Sequence, residues 1–134
     1  LERATGIERA GDVGDVLRRG LLEFLPLDGT RRTESRVYLA FAARAAVAPN
    51  LAAVQHALMS ESRILCSQAF QLARDRGQAR ADLDADAAAA ATVTMVDGLL
   101  LHMLTDPTGM PASVAVAVLD EHLRHYLDHG SSPP

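Results

Sequence analysis

An all-α fold follows from three features of the 134-residue chain. Segments bounded by glycine or proline carry apolar residues three and four apart, the spacing of one helix face. No stretch alternates apolar and polar residues as a half-buried strand would. Short turns join five such segments, the pattern of a helical bundle. A hydrophobic content of 49% and the absence of internal repeats suit a single core at this length.

Leu1 to Gly11 is a polar, arginine-bearing lead with two glycines, read as the end of a linker helix or a frayed arm. The chain starts at Leu1 without a methionine, so it is expected to be a piece of a longer protein. The domain proper is expected over residues 12–129, followed by a disordered tail at 130–134. From Asp12 to Leu25, Val13, Val16, Leu17, Leu21, Phe24 and Leu25 share a face, and Pro26 ends the run. Asp28 or Thr30 can cap a second helix, from about Thr30 to Val47. Its centre, Val37 to Ala43, is nearly all apolar and is expected to run through the core.

Pro49 fits the first turn of a long helix reaching about Arg76, with Gly77 as a left-handed cap. One stripe on it, Leu51, Val54, Leu58, Leu65 and Leu72, has ordinary core spacing. A second stripe, Met59, Arg63, Cys66 and Phe70 with His56 a turn earlier, mixes soft, polar and aromatic groups. Asp84 should cap the fourth helix, Asp86 favours its positive end, and Pro107 forbids its continuation beyond Thr105. Down one side run Ala87, Ala91, Thr94, Gly98, Leu101 and Thr105, a seam of mostly small residues alternating four and three apart. The other side, with Val93, Val96, Leu100, Met103 and Leu104, is also apolar. A helix apolar on both sides needs partners on both, so the seam is expected to meet the same helix of a second copy. After Pro111 the last helix carries a core stripe of Val116, Leu119, Leu123, Tyr126 and Leu127. A second stripe, Val114, Val118, His122 and His125, joins the proposed homodimer interface.

The net charge of −4 is spread along the chain, and every cationic side chain is arginine. No concentrated basic patch is present to neutralise phosphates, so this piece is expected to make no nucleic-acid contact of its own. The fourth helix is the most membrane-like run, but Asp97 near its middle argues for a buried helix and no membrane span. One cysteine excludes an internal disulfide and fits a reducing cytoplasm; no signal peptide is read.

His122, His125 and His129 stand beside Asp120 and Glu121, and their spacing could bring imidazoles to one metal. The plainer account is histidines complementing the negative end of a helix; zinc wants three or four ligands, and no metal is expected. Asp97 reads either as a structural carboxylate or as a ligand contact, and Cys66 as a small core residue. Phe24, Tyr38, Phe41, Met59, Cys66, Phe70 and Met95 could line an apolar pocket, with Arg44, His56 and Arg63 orienting a ligand. The alternative is a plain core whose arginines reach to the surface. There is no nucleophile elbow, phosphate loop or CxxC, so no catalytic residue, cofactor or enzymatic activity is expected.

Leu25 to Asp28 (LPLD), Val37 to Phe41 (VYLAF), Asp82 to Asp84 (DLD), Val96 to Leu99 (VDGL) and Leu119 to Leu123 (LDEHL) form an ordered set. In order and spacing this set resembles the C-terminal regulatory domain of TetR-family transcriptional regulators, BetI-like branch, over roughly residues 12 to 127. The resemblance implies that the last two helices pair with those of a second subunit in a four-helix bundle. It also implies that the upstream helices enclose a small, lipophilic effector, and that operator DNA is read only through an N-terminal helix-turn-helix that this chain lacks. Ala48 departs from the family, which often has a capping aspartate there. Ligand contacts do not transfer from the family, so the pocket residues rest on local pattern alone. A stand-alone helical dimer without a ligand and a metal-dependent enzyme using the C-terminal histidines are the competing readings.

Overall fold

The structure, a computed structural model, describes residues 12–127. The lead up to Gly11, the tail from 130 and His129 lie outside the described residues. Five α-helices follow in order: α1 (Val13–Leu22), α2 (Gly29–Ala45), α3 (Pro49–Asp75), α4 (Ala85–Thr105) and α5 (Ala112–Leu127). There is no strand among the described residues.

The helix starts are set by short-range chemistry. Asp12, Asp28 and Asp84 are extended N-caps whose carboxylates accept from the backbone N–H of Asp15, Arg31 and Ala87. Ala48 caps α3 with no side-chain bond, and Pro49 takes the first turn, where its missing N–H costs nothing. α1 stops at Leu22, earlier than the apolar run suggests. Phe24 and Leu25 instead form tight bonds to the carbonyls three residues back, because a residue before proline is driven out of the helical region. At the end of α3, Gly77 has φ of +73°, and Gln78 N–H closes back on the Ala73 carbonyl at 2.8 Å. Only glycine adopts that backbone cheaply.

The centre of the bundle is the antiparallel pair α3 and α4. One core joins Val13, Cys66, Phe70, Ala73, Leu83, Ala85 and Ala88; the other joins Leu21, Leu25, Val96, Leu99, Met103, Leu119 and Leu123. Small residues on α4 let α3 lie close, and Phe70, fully buried, fills the remaining space edge-on to Tyr126 at 5.5 Å. α1 is tied across the bundle: its Val13 N–H donates to Gln78 Oε1 at 2.9 Å, and Arg18 Nε donates to Asp120 Oδ1 of α5 at 2.6 Å.

Two sequence expectations are corrected. On α3 the middle of the expected core stripe faces outward, with Val54, Leu58 and Leu65 about half exposed, although Leu72 packs on the first core; Cys66 and Phe70 of the mixed stripe are buried instead. The alanine-lined surface of α4 accepts this side of α3 closely, and the small buried Cys66, Ser67 and Ala69 suit so tight an approach. α2 likewise does not run through the core. Val37 is 67% exposed, and only Ser35 and Ala45 of this helix are buried.

α4 is long and apolar enough to cross a membrane by length and composition. Here it is the central helix of the bundle, with Val96, Leu99, Leu100 and Met103 buried among the other helices.

Candidate functional site

Two features of α4 carry the functional argument, and they lie on different sides of the same helix. The first is the seam. Ala87, Thr94, Leu101, Thr105, Val114, Val118 and His125 are exposed, and Ala91, Gly98 and His122 are partly so; none is buried within the subunit. Between α4 and α5 the surface forms an open groove of about 560 Å³ lined by Met95, Val114, Ala117, Val118 and His122. A Cβ added at Gly98 would meet nothing within 4 Å. No packing inside the subunit therefore calls for glycine there, although glycine costs a helix interior roughly 0.5–1 kcal/mol relative to alanine.

His122 borders this groove and is held by the core. Thr92, fully buried, donates its hydroxyl to the Ala88 carbonyl at 2.7 Å. Its oxygen lies 2.7 Å from His122 Nε2. With that hydroxyl proton committed, Nε2 is the donor, which assigns the tautomer. Burial pushes the His122 pKa down, and the neighbouring His125 pushes it further the same way. Tyr126 packs edge-on against both imidazoles, at 5.1 and 4.8 Å. No group of three metal-binding side chains occurs among the described residues.

The second feature lies where α2, α3 and α4 meet. Tyr38 donates its hydroxyl to Asp97 Oδ1 at 3.3 Å. Burial raises the Asp97 pKa, opposed by the Tyr38 bond and by Arg63 acting through space. Burial and the Asp97 charge together raise that of Tyr38. The Gln55 amide lies beside the phenol, near enough to favour its ionised form. Gln55 is only 8% exposed, yet neither its nitrogen nor its oxygen reaches hydrogen-bonding geometry with any partner. An orphaned amide of this kind costs the fold about 1–3 kcal/mol.

The pocket residues expected from sequence divide. Tyr38 and Arg63 belong to this polar cluster, and Phe41 and Met59, half-buried, follow Tyr38 and Gln55 by one helical turn. Cys66 and Phe70 are buried in the core below it, and burial pushes the Cys66 thiol up to about 11, so it is not a thiolate at neutral pH. Met95 packs on the second core and borders the seam groove. Phe24 and Arg44 are exposed, and His56 is exposed with its Nε2 3.5 Å from the Ser60 hydroxyl. Asp97 was legible as a carboxylate inside an apolar helix. Gln55 was missed, although it interrupts the apolar run on its side of α3 four residues from both Leu51 and Met59.

A family model described as BetI-type transcriptional repressor, C-terminal, matches residues 14–128. A solved structure of a transcriptional regulator from Rhodococcus sp. Rha1 resembles this one with a TM-score of 0.82 and 30% sequence identity, covering 96% of this chain and 77% of that one. No curated protein matches the chain.

Proposed function

The chain belongs to the BetI-type C-terminal family of TetR-like transcriptional regulators, and on that premise we propose that it dimerises through the α4–α5 seam and senses a small lipophilic effector at the junction of α2, α3 and α4. DNA is read through a helix-turn-helix domain outside this chain, and the family's role is regulatory, not enzymatic. The observation that carries the reading is the seam itself. It is an apolar, small-sided face on the most apolar helix, and none of its residues is buried by the described residues of its own subunit. Two such α4–α5 pairs, one per subunit, form a four-helix bundle when brought face to face.

The mechanism follows from the sharing of α4. Asp97, in the polar cluster, directly precedes Gly98, in the seam. Successive residues on a helix point about 100° apart, so one rod carries the effector contact and the subunit contact on adjacent faces. An effector that binds one setting of α4 better than another changes the spacing of two attached DNA-reading heads. It does so only to the extent of that differential affinity.

Sedimentation equilibrium tests the seam. Gly98→Leu and Leu101→Asp should each weaken the dimer. Dimers of unchanged affinity in both variants would show that the subunits meet elsewhere.

A further inference from the structure

The polar cluster also constrains what the effector is, and this step rests on the effector site proposed above. Gln55 is more than nine-tenths buried, and although its amide lies beside the Tyr38 phenol, neither its donor nor its acceptor reaches hydrogen-bond geometry with a partner. The group that satisfies both ends together is another amide-like edge, a carbonyl oxygen beside an N–H. Asp97 adds an acceptor, with one of its oxygens already receiving the Tyr38 hydroxyl. A formal charge on the ligand is poorly served here. Asp97 and Arg63 already bring one negative and one positive charge to the site, so a ligand charge of either sign would leave an uncompensated charge in partly dry surroundings. Phe41 and Met59, half-buried and one turn along from Tyr38 and Gln55, are the apolar side chains available to the remainder.

We infer that the effector site selects an uncharged primary carboxamide head on an apolar body, paired edge to edge with Gln55 through its carbonyl and one N–H and donating its second N–H to Asp97. Gln55 is then a residue kept at a cost to stability for the sake of binding.

The chain has two tyrosines. Tyr38 reports on the cluster, and Tyr126, against Phe70, is an internal control. The experiment is a titration of the 134-residue domain, isotopically labelled at tyrosine, with octanamide, sodium octanoate and octylamine, followed by NMR. Octanamide should shift the Tyr38 signal saturably and leave Tyr126 in place, and the two charged probes should bind more weakly. Gln55→Leu should weaken octanamide binding about 5- to 150-fold, the worth of the two hydrogen bonds that it removes, while raising the thermal midpoint. A purely structural glutamine would not move the two readouts in opposite directions. Octanoate or octylamine binding as tightly as octanamide, or unchanged octanamide affinity in Gln55→Leu, would overturn the head-group assignment and leave the effector site standing. If none of the three probes moves Tyr38, the effector site is misplaced and the assignment falls with it.

Discussion

Cys66 and His122 show how much a side chain's role depends on what surrounds it. The Cys66 thiol is pushed up to about 11 by burial against the close-packed α4, so thiol-directed maleimide should label the folded domain slowly and the unfolded chain fast. Equal rates would mean that the α3–α4 packing is wrong. Enlarging this position to tryptophan overpacks the core, at a cost of about 1–3 kcal/mol or more, so it would test stability before it tested binding. His122 has its pKa lowered below the ordinary 6.5 in the folded state. The unfolded chain therefore takes up the proton first as pH falls. The contribution of His122 is fully present above pH 6.5 and is lost as pH drops through the window below it. Urea unfolding at pH 7.5 and 5.5 should show the loss, and His122→Asn should reduce it; the remaining facing groups are His125 and Tyr126. An equal acid loss in the variant would assign it to another group.

At the scale of the element, α4 divides what sequence could reveal from what it could not. Its limits were legible because they are local: an aspartate that accepts the N–H of Ala87 and a proline two residues past the last turn. Asp84→Ala should therefore cost about 1 kcal/mol in a denaturation experiment, the usual worth of a lost N-cap. The small-residue face, spaced alternately four and three apart, does lie open on α4, and such spacing suits the close approach proposed for a second backbone. On α3 the same kind of reading failed. Periodicity locates apolar stripes, but α3 has two, and which one turns inward depends on the shape of the neighbouring helix. Alanines at 85, 88 and 89 of α4 are buried, and they match the slim stripe with Cys66 and Phe70 better than the leucine stripe. The polar cluster was half legible for the same reason. Tyr38 and Arg63 could be chosen as polar groups among apolar ones, whereas the isolation of Gln55 exists only once three helices have converged.

At the scale of the whole molecule, the proposed effector cluster and the proposed seam share α4, Asp97 belonging to one and Gly98 to the other, so the two binding equilibria are expected to be coupled. Suppose that octanamide binds at Asp97 and favours one setting of α4. It must then change the dimer dissociation constant by the factor α by which dimerisation changes octanamide affinity, since coupling between two binding equilibria is reciprocal. Gly98→Leu allows both halves to be measured. A Cβ added there meets nothing within 4 Å, so the variant should still fold, as a monomer, and should recover part of the roughly 0.5–1 kcal/mol that glycine forfeits in a helix. Its octanamide affinity, compared with that of the wild-type dimer, gives α from one direction. Sedimentation of the wild type with and without octanamide gives it from the other. Couplings between sites typically fall at 1–3 kcal/mol, or about 5- to 150-fold, well within reach of both measurements. Equal, non-unit factors from the two directions would establish α4 as the link between effector and assembly. Factors of one in both, with octanamide bound, would mean that the ligand sits on a helix whose position it does not alter.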